Sequence, residues 1–131
     1  MRYLGIDFGL RHVGLALADG PLAEPLGEKK YFESGKLFNY LKRVCDEQSI
    51  DKIVIGLPEG KLAEAVRKFG GDLGQLTGKE IFYQDETLSS QEAKSKLIAA
   101  AAPQKKRRLD HRAAAALILQ EFLDMMTVRR E

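Results

Sequence analysis

Residues 53–57 read Ile-Val-Ile-Gly-Leu, an unbroken apolar run with Pro58 directly behind it. A run this short, rich in β-branched residues, suits a strand better than a helix. It shows no apolar/polar alternation, so both of its faces need cover. That is the signature of a central strand in a sheet flanked by helices on each side. Pro58 has no N–H to give to a ladder and ends the strand.

The flanking segments supply the rest of such a fold. Residues 2–8 and 13–18 are apolar or alternating and are joined by a short turn, with Gly9 and Gly14 giving backbone freedom for a hairpin. A third extended piece is expected near Glu28 to Phe32. Leu37, Phe38, Leu41, Val44 and Cys45 recur at helical spacing, with Ser34 as a candidate N-cap. Leu62, Ala65, Val66, Phe69, Leu73 and Leu76 form a second helical stripe, weakened at its end by Gly70, Gly71 and Gly74. Glu80 to Gln84 reads as a strand. Ser89 and Glu92 have capping-box spacing and open a further helix through Leu97 and Ile98. The stretch LDHRAAAALILQEFLDMM makes a long last helix with a wide apolar face. Its end, Phe122 to Met126, either closes the core or pairs with a second copy.

Strands alternate with helices from the middle of the chain onward, which implies parallel strands there after an antiparallel start. The 131 residues fit one α/β domain spanning 1–131, since no linker, repeat or low-complexity tract divides them. No apolar run approaches the roughly 20 residues of a membrane span, and the first residues are a strand pattern rather than a leader. A cytoplasmic protein is expected. The lone Cys45 cannot form an internal disulfide, lies in an apolar helical pattern and is read as buried. The net charge of +2, from 21 basic and 19 acidic side chains, leaves the distribution of charge to speak. Its strongest local bias is the run Lys105, Lys106, Arg107 and Arg108.

Asp7 is a carboxylate near the end of the first apolar strand, where burial of an unpartnered charge is costly. Ligands of open α/β sheets gather beyond the carboxyl ends of the strands. Asp85 and Glu86 follow the end of the last strand, and alternation allows at most one of them to meet Asp7. Asp110 opens the final helix. Three carboxylates converging from such distant segments would repel one another, and a divalent cation resolves that conflict. Two such ions about 4 Å apart can clamp a scissile phosphate.

The chain resembles the YqgF family, also called RuvX, within the ribonuclease-H-like superfamily. The motifs that carry the resemblance are D-F-G-L-R-H-V-G-L-A from Asp7, I-V-I-G-L-P from Ile53, D-E-T-L-S-S from Asp85, and the run from Asp110 through Ala113, Ala114, Ile118, Leu119 and Gln120. They stand in the family's order across nearly the whole chain. The resemblance implies a three-layer fold around a mixed five-stranded sheet, the first three strands antiparallel and the remainder parallel. It also implies an acidic site on Asp7, Glu86 and Asp110, as metal ligands and catalytic residues for two ions of magnesium or manganese. Thr87 stands where the family usually has arginine, and the stretch after Pro58 is shorter than the family's Gly-containing loop.

The implied activity is nuclease action in maturing the 5′ end of pre-16S ribosomal RNA. The related resolvases that cut four-way DNA junctions carry a further acid one helical turn before the last one, where this chain has Arg107. Branched DNA is therefore the alternative substrate, and a non-catalytic nucleic-acid-binding module is a second alternative, kept open by Thr87. Arg11 and the run Lys105, Lys106, Arg107 and Arg108 are expected to contact the nucleic-acid backbone without reading sequence. His12 and His111 are expected to be surface histidines. The state in solution is expected to be a monomer or a homodimer. An actin-like ATP-binding domain shares the phosphate-loop look of the first turn, but such proteins pair two lobes and this chain supplies one.

Overall fold

The chain folds around a five-stranded sheet in the order β3-β2-β1-β4-β5. The computed structural model describes residues 1–85 and 111–130. Its strands are β1 (Tyr3–Phe8), β2 (His12–Ala18), β3 (Ala23–Lys30), β4 (Lys52–Leu57) and β5 (Glu80–Asp85). Its helices are α1 (Ser34–Glu47), α2 (Lys61–Thr77) and α3 (His111–Arg130). β1, β2 and β3 are antiparallel neighbours, whereas β4 runs parallel to β1 and β5 parallel to β4. The apolar run indeed forms a central strand: Ile53, Val54 and Ile55 are fully buried.

The two faces carry separate cores. Leu4, Ile6, Val13, Leu15, Ile53 and Ile55 point to the side covered by α1 and α2. Tyr3, Ala16, Ala18 and Val54 point to the side covered by α3, meeting Ala115, Ile118, Leu119 and Leu123. Each fully buried Leu or Ile contributes about 1.5–3 kcal/mol relative to exposure. The end of α3 closes the second core, with the Phe122 ring centroid 5.9 Å from Tyr3 and 5.1 Å from Phe82. Among the described residues, no helix is long and apolar enough to cross a membrane.

Three local expectations are corrected. The third strand begins at Ala23 rather than near Glu28. Its first half is polar and carries Pro25, but it is an exposed edge strand whose pairing with β2 is shifted between Leu15 and Ala16, so a missing N–H is tolerated there. Ser34 is the first residue of α1 and Glu33 occupies the N-cap, with no side-chain capping bond. Gly14 lies inside β2, opposite Asp7, and not in the turn. The helical stripe expected through Leu76 does form α2, which continues unbroken through its glycines to Thr77. Gly70 and Gly74 face β5, and a Cβ on either would run into Tyr83 or Ile81. The close approach of helix to strand outweighs the propensity cost of about 1 kcal/mol per glycine.

Candidate active site at the carboxyl edge of the sheet

β1, β4 and β5 are parallel, so their carboxyl ends share one edge of the sheet. Asp7 stands at that edge, partly buried. Its face follows from alternation. Tyr3 belongs to the α3-side core, and a Cβ on Gly5 would lie 2.8 Å from Leu119 Cβ. Asp7, two residues further on, therefore faces the α3 side.

The row across the sheet at this level is unusual. Asp7 pairs with Gly14 on one side. On the other, the register Ile6 to Ile55 continues to bring Gly56 alongside, and Gly56 pairs in turn with Gln84. Both positions flanking the carboxylate on its own face thus lack side chains. The space over Gly56 is taken by Ile118, whose Cδ1 would lie 2.5 Å from a Cβ there. α3 runs antiparallel to β1, since Ala115 and Leu119 lie over Gly5 while Phe122 and Met126 lie against Tyr3. The N-terminal end of α3 is thereby brought to the carboxyl edge, beside the row of Asp7.

The structure separates Asp85 from this row. Tyr83 faces α2, donating from its hydroxyl to Arg67 O at 3.2 Å, and alternation puts the exposed Asp85 on that same side, away from Asp7. Glu86 and Asp110 lie outside the described residues, as do Thr87 and the run Lys105, Lys106, Arg107 and Arg108. Among the described residues, no group of three or more acids, histidines and cysteines could hold a metal ion. Asp7 is the described member of the expected set.

Arg11 is exposed at the tip of the β1–β2 turn, with its guanidinium carbon 5.9 Å from the Phe32 ring centroid. The turn is tight: Gly9 N donates to His12 O at 2.8 Å, and a Cβ on Gly9 would come within 2.9 Å of that oxygen. His12 opens β2, partly buried. After β4 the chain enters α2 through Pro58–Gly60, with Gly60 at φ 84° and ψ −153°, a conformation open to glycine.

Sequence reasoning passed over Gln84. It is buried, with 6% exposure, and lies in the row of Asp7 roughly 10 Å away, two strand spacings. Its amide nitrogen donates to Asp85 O and to Met125 Sδ, each at 3.4 Å. The signal was present in part: Gln84 alternates with Phe82, which packs against the α3-side core.

An antiparallel β1–β2–β3 unit extended by parallel β4 and β5, with helices on both faces and an acid near the end of β1, defines the ribonuclease-H-like fold. Solved structures agree. Thermus thermophilus RuvC in complex with a Holliday junction substrate aligns with a TM-score of 0.66 at 14% identity, covering 97% of this chain and 96% of that one. The Fowlpox virus Holliday junction resolvase aligns with a TM-score of 0.59 at 11% identity, covering 96% of this chain and 99% of its own. The family model for RuvX, described as Holliday junction resolvase, matches residues 1–125. A protein of Lactococcus lactis subsp. cremoris named "Putative pre-16S rRNA nuclease" is 38% identical over 94% of both chains. A Streptococcus thermophilus protein of the same name is 33% identical, over 96% of this chain and 99% of its own. The chain belongs to the RuvX family.

Proposed function

We propose that this protein is a metal-dependent nuclease, one domain over residues 1–131, that hydrolyses phosphodiester bonds in maturing the 5′ end of pre-16S ribosomal RNA in the cytoplasm. The observation that carries the reading is the position of Asp7: a carboxylate at the carboxyl end of β1, on the α3 face, between Gly14 and Gly56. That setting fits a hard divalent cation. The donor is an anionic oxygen, and neither flanking residue of the row extends a side chain toward it. The relatives named as pre-16S rRNA nucleases support the choice of substrate.

In this reading Asp7, Glu86 and Asp110 together would hold two ions of magnesium or manganese. Bound there, the ions would prepare the attacking water and neutralise charge on the leaving oxygen. Arg11 and the run Lys105, Lys106, Arg107 and Arg108 contribute charge to hold the backbone phosphates, without selecting sequence. By likeness to the superfamily, the products carry 5′-phosphate and 3′-hydroxyl ends.

The test is Asp7→Asn, assayed for magnesium-dependent cleavage of a precursor RNA. Loss of outer partners of metal ligands costs about 10–100-fold, so removing a ligand should cost on the order of a hundredfold or more. A folded variant with full activity ends the reading. Branched DNA is the second reading, favoured by the RuvX description and by the RuvC complex with a junction. Parallel assays on precursor RNA and a four-way junction separate the two. Paired cuts by a dimer on the junction, with the RNA left intact, would decide for the second.

A further inference from the structure

The β2–β3 side of the carboxyl edge carries a second feature. Tyr31 ties two turns together, its hydroxyl donating to Gly9 O at 2.6 Å and its backbone N–H to Arg11 O at 3.0 Å. Beside this tie, between the end of β3 and the first turns of α1, lies a groove of about 600 Å³. Lys29, Lys30, Lys36 and Arg43 line it, against one carboxylate, Glu33. Among the described residues the salt bridges are Arg2–Asp19 and Lys52–Glu80, and none of the four cations takes part in them. Their charge is left facing solvent from a concave surface, which concentrates positive potential there.

Aromatic rings sit among these cations. Lys29 Nζ lies 5.1 Å from the Tyr40 ring centroid, and Arg11 lies over Phe32. Phe32 is 88% exposed, although it directly follows the tied residue Tyr31. Its cost in exposed apolar area is unexplained by the core, because it packs in neither buried cluster. An aromatic face held in water beside cations that no described carboxylate pairs matches the needs of an unpaired base attached to a charged backbone.

We propose that this groove binds single-stranded RNA flanking the scissile phosphate, with Phe32 as the surface on which one base stacks and Lys36 and Arg43 as backbone contacts. It rests on the nuclease reading for the class of substrate. The register supports the path: Lys30 pairs with His12, and Val13 pairs with Phe8, so the groove opens at the same edge as Asp7. β3 lies two strands from β1, roughly 10 Å. A strand leaving the Asp7 side would cross the β1–β2 turn, where Arg11 stands, and descend along α1. Duplex RNA hides its base faces, so it would feel the cations and not the ring.

The experiment measures anisotropy of a short fluorescein-labelled single-stranded RNA, and of a hairpin duplex, with the full chain in EDTA. Phe32→Ala should weaken single-strand binding about tenfold and leave duplex binding unchanged, while Phe32→Tyr restores it. Lys36→Gln combined with Arg43→Gln should lower the slope of log affinity against log salt by about 1.4, two contacts at roughly 0.7 each. The three side chains are exposed, and thermal melting verifies folding. Unchanged single-strand binding in Phe32→Ala, equal losses on duplex and single strand, or an unchanged salt slope would each overturn the proposal. With no divalent cation present, cleavage can fail in its own assay while this binding stands, and the reverse.

Discussion

Replacing Gly5 by alanine tests how tightly α3 is held over the candidate site. The added Cβ would lie 2.8 Å from Leu119 Cβ and 3.1 Å from Ala115 O. Carbon atoms in contact prefer about 3.5–4.0 Å, so the helix must retreat by about 0.7 Å (3.5 − 2.8) or more. Neither obstacle can rotate away, since one is a Cβ and the other a backbone oxygen. Overpacking of this kind costs about 1–3 kcal/mol, and the reduced freedom of the unfolded chain returns about 0.4–1 kcal/mol. A net loss of about 1–2 kcal/mol is expected, a fall in Tm of roughly 5 °C for a chain of this size. Since the start of α3 lies beside the row of Asp7, cleavage should fall as well, by up to about a hundredfold for a displacement near 1 Å.

Gly56→Ala provides the contrast. Its Cβ would meet Ile118 Cδ1 at 2.5 Å and Cγ1 at 3.1 Å, the outer atoms of one side chain. Ile118→Val removes Cδ1, so the pair Gly56→Ala with Ile118→Val should be less destabilised than the sum of its parts by about 0.5 kcal/mol or more. Leu119→Ala retains the offending Cβ and should not rescue Gly5→Ala. Urea denaturation of the four single and two double variants measures all of this. A Gly5→Ala protein as stable as its parent, or one rescued by Leu119→Ala, would refute the reasoning.

Burial pushes the Cys45 thiol from its ordinary 9.0 up to about 11, with Lys79 pulling the other way and Asp46 adding to the rise. A raised thiol pKa contributes stability that is fully present below the unfolded value. Unfolding free energy should therefore decline between about pH 9 and pH 11, and Cys45→Ala should flatten that part of the profile in urea titrations. Tyr31→Phe removes the bond to Gly9 O and should cost about 1 kcal/mol, measured as a lower urea midpoint with the slope unchanged.

Much of the architecture was legible in the residues. The apolar run at 53–57 announced a strand covered on both faces, and the stripes beginning at Leu37 and Leu62 announced helices, because burial imposes its period directly on the sequence. The glycines of α2 read as a weak end to an expected helix for an equally physical reason. Propensity is local, whereas the reward for a bare backbone at Gly70 and Gly74 comes from β5, a partner that only folding brings near. The polar β3 was half hidden because an edge strand leaves little apolar pattern to read.

What the sequence determined by itself is the kind of fold and the suspicion attached to Asp7, since a charge in an apolar strand is conspicuous without coordinates. Tertiary structure decided which face that carboxylate shares, that Gly14 and Gly56 flank it, that Gln84 joins its row and that Asp85 does not. Those facts depend on register and strand order, which arise from pairing between segments far apart in the chain. The groove beside Tyr31 has the same origin: its cations come from β3 and α1, and only the tie to the β1–β2 turn holds them at one edge.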